Sequence, residues 1–155
     1  MILQCLLSDI TEEVQKKMNK KIFAADVSSI DAVTDFVNEQ LEIAQCPMKA
    51  QIQLDVAIDE IFSNIAHYAY ENSVGDAAVG VEITDNPDTV VITFEDSGIP
   101  YNPLAKPDPD VTLSAEEREI GGLGIFMVKK SMDDLKYEYR DGKNIFTIIK
   151  NFNKT

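Results

Sequence analysis

The spacing of apolar and polar positions changes several times along the chain, and each change marks an element. Residues 1–19 fit no pattern well: a short apolar start precedes the polar run Thr11–Lys17, which has the content of one exposed helix. This stretch reads as an N-terminal extension or a mispredicted start, with Met18 the alternative first residue. Lys21 to Ala25 reads as a short strand. Ser28 or Ser29 suits a helix cap, and Ile30, Val33, Phe36, Val37, Leu41 and Ala44 then recur along one helical face, predicting a first amphipathic helix that ends near Cys46. Pro47 fits the first turn of a second helix, whose core stripe is Leu54, Ile58, Ile61, Ile65 and Ala69 and which runs to about Tyr70.

Beyond Tyr70 the period drops to two. Val79, Val81 and Ile83 alternate with polar neighbours, as do Val90, Ile92 and Phe94, and Asp85-Asn86-Pro87-Asp88 supplies the turn between them. Residues 99–120 break the pattern, with Pro100, Pro103, Pro107 and Pro109 followed by a crowd of acidic residues; a connection this long inside a domain reads as a lid over a site. Helical spacing resumes at Ile125 with Phe126, Val128, Lys129 and Met132. The tail alternates through Leu135, Tyr137 and Tyr139, turns at Asp141-Gly142 and returns from Ile145 to Ile149. Helices first, then mostly antiparallel strands with one inserted helix, make an α+β fold of two layers. Residues 20–155 are expected to form that single domain.

Composition narrows the function. The chain has 155 residues, 45% of them hydrophobic and 26% charged, ordinary for a globular domain with its own core. Its 27 acidic and 14 basic residues give a formal net charge of -13, which repels phosphate backbones and anionic lipid. Direct nucleic-acid or membrane binding is therefore not expected, whereas a basic protein partner suits the surface. Two cysteines are too few for a Cys-based zinc site or a disulfide framework, so the cytoplasm is the default compartment. The run Met1–Leu7 is broken by Gln4 and lacks a signal-peptide pattern, and no segment reaches transmembrane length.

Three short constellations carry the candidate chemistry. On the second helix Glu60, Asn64, His67 and Glu71 fall on one side, away from the core stripe. A carboxylate and an amide one turn apart can hold a metal ion through oxygen and position a nucleophile, although the same face would serve equally as a solvated one. Glu95-Asp96-Ser97-Gly98 ends the first hairpin with an acid and a glycine, either a plain turn or a place where a ligand approaches the backbone. Gly121-Gly122-Leu123-Gly124 directly precedes a helix, where backbone N–H groups and the helix terminus favour phosphate.

Taken in this order, Glu-x-x-x-Asn on a helix, Asp-x-Gly after a strand and Gly-Gly-Leu-Gly at a helix start resemble the nucleotide-binding boxes of the Bergerat-fold ATPases. That superfamily includes DNA gyrase, histidine kinases and the anti-sigma-factor serine kinases, and Val56–Tyr70 is most similar to the last group. The resemblance, over roughly residues 21–150, implies a two-layer α/β sandwich with a mixed, mostly antiparallel sheet and helices on one face. It implies Mg²⁺ and ATP as cofactors, with Asn64 as the metal ligand and Glu60 as general base. Asp96 would accept from the adenine amino group, Gly98 would give the base room, and Gly121, Gly122, Leu123 and Gly124 would cradle the phosphates. Arg118 is the candidate for the γ-phosphate. Two departures are plain: Pro100 stands where a second glycine is usual, and Asn144-Ile145-Phe146-Thr147 replaces the usual Gly-Thr, leaving Thr147 as the candidate hydroxyl.

By the same resemblance the chain would be a serine/threonine protein kinase and anti-sigma factor. Its partners would be a small STAS-domain anti-anti-sigma factor and a sigma factor, and a homodimer would be usual. The alternatives are an ATP-dependent binding switch without transfer and a detached histidine-kinase-type catalytic domain. His67, the single histidine, reads as a structural or pocket-edge residue, and Tyr68, Tyr70, Phe94 and Phe126 as core or rim.

Overall fold

In the computed structural model, which describes residues 18–85, 88–105, 107–108, 112 and 123–152, the alternating segments become five strands. These are β1 (Met18–Ala24), β2 (Asp76–Thr84), β3 (Thr89–Asp96), β4 (Asp134–Arg140) and β5 (Lys143–Asn151). The helical segments become α1 (Ile30–Ile43), α2 (Met48–Tyr68) and α3 (Leu123–Ser131). The sheet order is β1-β2-β3-β5-β4, and every pairing among the described strands is antiparallel, in keeping with the mostly antiparallel sheet expected, though no parallel pair is present among them. The Thr11–Lys17 run, Asn86, Pro87 and most of residues 106–122 lie outside the described residues.

One sheet face is apolar. Val79 pairs with Phe94 and Val81 with Ile92, while Phe94 and Ile92 pair on their other side with Phe146 and Ile148, so period-two alternation places all six on one surface. Val33, Val37 and Leu41 of α1, Leu54, Ile58 and Phe62 of α2 and Val128 of α3 join them in a single buried cluster. Each fully buried aliphatic side chain in such a layer contributes roughly 1.5–3 kcal/mol. Removing Phe62, with no exposure at all, would cost about 3–5 kcal/mol. The result is a two-layer α+β sandwich with the helices on one face.

Local chemistry sets the boundaries, and several differ from the sequence expectation. Strand β1 starts at Met18, and Met18 and Asn19 pair with Glu82 and Val81. Neither expected serine caps α1 through its side chain. A short 3-10 turn (Val27–Ser29) precedes α1 instead, and Asp26 accepts the Ser28 backbone N–H at 2.8 Å. Helix α1 stops at Ile43 because Gln45 turns left-handed (φ 59°), which lets Cys46 N donate back to Leu41 O at 2.9 Å. Pro47 caps α2 from just outside rather than sitting in its first turn. Between β4 and β5, Asp141 (φ 55°) and Gly142 (φ 76°) are both left-handed, as a two-residue hairpin turn with the right twist requires.

The strand order positions the site. Because β5 inserts between β3 and β4, its first residues lie beside the last residues of β3, and Asn144 registers directly opposite Asp96. The chain leaving β3 then docks on the end of α2, where Ile99 N donates to Ala69 O at 2.8 Å.

Candidate functional site

Helix α2, the end of β3, the start of β5 and the start of α3 line a partly open pocket. Its walls are mostly apolar, including Ile61, Ile65, Phe94, Ile125 and Phe146, and the polar groups Asn64, Asp96 and Asn144 converge on it. Tyr68 and Tyr101 stand at its edge with ring centroids 5.8 Å apart.

Asp96 is the chemical centre of the pocket. Among the described residues, Asp96 and Asn144 are the two buried polar side chains, each 6% exposed. Asp96 Oδ1 accepts from Gly98 N at 2.9 Å and from Asn144 Nδ2 at 2.9 Å. No donor among the described residues reaches Oδ2, so this side chain, which lines the pocket, keeps one acceptor for a ligand. A buried carboxyl with one oxygen satisfied and the other left over fits the exocyclic amine of a base.

Gly98 has a packing role that the sequence did not show. A Cβ there would fall onto the backbone of Ala69, well inside contact distance of its carbonyl oxygen and 2.7 Å from its Cα. Glycine is needed for the loop to pack on the end of α2. Tyr70 ties down the same corner: its hydroxyl donates to Asp76 O and accepts from Ser97 N at 2.9 Å.

Glu60 and Asn64 lie one turn apart on α2, both half-buried, and Asn64 lines the pocket. The Glu60 carboxyl sits against the Cα of Gly124, in space that any β-carbon on that residue would fill. The second helix and the start of α3 are thereby brought together, with a carboxylate at the helix start. The proposed four-residue polar face is shorter than expected. Helix α2 ends at Tyr68, Glu71 lies beyond it in a left-handed conformation (φ 43°), and His67 is exposed beside the Tyr68 ring at a centroid distance of 6.2 Å.

Arg118, Gly121 and Gly122 lie outside the described residues; Leu123 opens α3. Thr147 is not brought to the pocket. It registers opposite Thr93 and Lys136, whereas its neighbours Phe146 and Asn144, two residues apart, face the pocket, so Thr147 belongs to the other sheet face. The group that reaches Asp96 from this strand is the Asn144 amide, seen in the sequence only as a departure from the usual motif. Its signal was its place at the start of β5, but the register that sets it against Asp96 joins residues 48 apart.

A cluster of three or more metal-binding His, Cys, Asp or Glu side chains is not present among the described residues. A magnesium ion suits such a site when ligand phosphates and water supply most of its oxygens, with one or two from the protein. Among the described residues no helix is long and apolar enough to cross a membrane.

The histidine kinase-like ATPase domain matches residues 23–150. Serine-protein kinase RsbW of Listeria monocytogenes is 28% identical over 96 residues, 59% of this chain and 60% of that protein. Serine-protein kinase RsbW of Bacillus cereus is 26% identical over 94 residues, 59% of each chain. Serine/threonine-protein kinase BtrW of Bordetella bronchiseptica is 26% identical over 100 residues, 64% of this chain and 70% of that protein. The aligned part thus spans about three fifths of the length of the two RsbW proteins.

Proposed function

The chain belongs to the histidine kinase-like ATPase domain family, and from that premise we propose that it is a Mg-ATP-dependent protein serine/threonine kinase. Its substrate in this reading is a serine on a small STAS-type antagonist, and in the unmodified cycle the chain holds a sigma factor as an anti-sigma factor. The similarity to RsbW and BtrW, both named as serine or serine/threonine kinases, supports the phosphoacceptor class. The observation that carries the proposal is the Glu60 carboxyl lying against Gly124 at the start of α3, beside a pocket whose buried acceptor is Asp96.

In this mechanism Asp96 selects the adenine amino group while the apolar walls cover the base. Asn64 would offer an amide oxygen to the metal, the backbone of Gly121, Gly122, Leu123 and Gly124 would hold the phosphates, and Arg118 would reach the γ-phosphate. Bound magnesium supplies charge neutralisation across the phosphate oxygens. Glu60 accepts the serine proton as the serine oxygen bonds to the γ-phosphorus and the bridging oxygen departs with ADP. Such positioning and charge stabilisation account for most of the rate in phosphoryl transfer.

The reading is tested by incubating the chain with γ-labelled ATP, magnesium and candidate partner proteins. Acid-stable label on a partner serine is expected. Acid-labile label would place the chain with histidine-directed catalytic domains, and nucleotide binding without any label would make it a binding switch.

A further inference from the structure

We propose that Asn144 is the positioning residue that sets base selectivity in this pocket, an inference that rests on the nucleotide-site reading above. An asparagine amide has two N–H donors and two acceptor lone pairs. In Asn144 all four are used within the protein. Nδ2 donates to Asp96 Oδ1 at 2.9 Å and to Ile99 O at 2.8 Å. Oδ1 accepts from Tyr101 N at 3.1 Å and from the Tyr137 hydroxyl.

Two consequences follow from that saturation. The amide can face only one way, because a flipped group would set N–H against the Tyr101 N–H and oxygen against two acceptors, Asp96 Oδ1 and Ile99 O. Asn144 also has nothing left to give a ligand, so it acts through Asp96. It fixes Oδ1 in concert with Gly98 N and leaves Oδ2 as the carboxyl's acceptor. The same amide joins β3, β4, β5 and the loop at Ile99 and Tyr101, so the acceptor and the pocket edge are held by one buried group. A base with an exocyclic amine satisfies Oδ2; a base with a carbonyl there sets lone pair against lone pair.

The test is the ratio of affinities for ATP and inosine triphosphate, which carries a carbonyl in place of the amino group, measured with magnesium by calorimetry. The wild type is expected to favour ATP by about tenfold or more. In Asn144→Leu, of similar volume but without hydrogen bonds, the ratio falls toward one. Tyr137→Phe removes a single donor to Asn144 Oδ1 and lowers the ratio by about two- to tenfold, and it decides the matter if the leucine variant does not fold. A merely structural role would weaken both nucleotides alike, so an unchanged ratio in a folded variant overturns the proposal. Failure of the wild type to bind ATP overturns the nucleotide-site reading itself, and this inference with it.

Discussion

The carboxyl group of Glu60 rests on the Cα of Gly124, in space that any other residue at position 124 would occupy with its β-carbon. The glycine at the start of α3 therefore makes room for the side chain on α2. Two boxes 64 residues apart in sequence meet at this contact.

Gly124→Ala tests that contact. The atom in the way is the far end of a flexible side chain, so the helix accepts the methyl group and Glu60 moves aside. Alanine is favoured over glycine inside a helix by up to about 1 kcal/mol, so the thermal midpoint is expected to hold or rise. Phosphoryl transfer is expected to fall by about tenfold or more, because a displaced base loses part of a general-base contribution of roughly 10²–10⁴. Unchanged transfer rates in this variant would mean that the close contact has no part in the chemistry.

Gly98→Ala is expected to act in the opposite way. The obstacle there is the Ala69 backbone at the end of α2, which cannot swing aside. Overpacking of this kind costs about 1–3 kcal/mol, readable by chemical denaturation. Undiminished stability would show that the loop can lift from the helix without penalty.

Much of this was legible in the sequence because it depends on short-range pattern. The stripe Leu54, Ile58 and Ile61 is buried as its spacing requires, and the alternation of Val79, Val81, Ile92 and Phe94 gives the apolar sheet face. The pairing of Glu60 with Asn64 and the position of Asp96 at a strand end were likewise readable from spacing. Asn144 was not, because its role depends on a register between strands that only the folded sheet defines. Thr147 attracted attention as a hydroxyl near the right place, but strand alternation turns it to the other face. At the start of α1, Ser29 stands at the N-cap position without a side-chain hydrogen bond, and Asp26 accepts the Ser28 N–H of the 3-10 turn before it.

Asp55 gives a test of electrostatics remote from the pocket. Burial pushes its carboxyl above the ordinary 3.8, and the amide of Asn38, which donates to it at 3.0 Å, opposes the shift. A raised folded-state value means that the native protein holds the proton more tightly than the unfolded chain. That contribution is fully present below 3.8 and is lost as pH rises through the folded-state value. Asp55→Asn removes the charge, keeps an oxygen for Asn38 and brings an N–H donor near Asn38 Oδ1, which is buried without a partner among the described residues. The stability of the variant relative to wild type is expected to increase from acid to neutral pH, measured by thermal melts at a series of pH values. A difference that stays flat would mean that Asp55 ionises without cost.

The most direct measurement is the transfer rate of Glu60→Gln, with ATP affinity determined on the same preparation. Glutamine keeps the size and polarity of the side chain beside Gly124 but cannot accept the serine proton at neutral pH. ATP binding close to that of the wild type is predicted, with acid-stable labelling of the partner serine reduced by about 10²–10⁴-fold. Labelling at the wild-type rate would contradict Glu60 as the base.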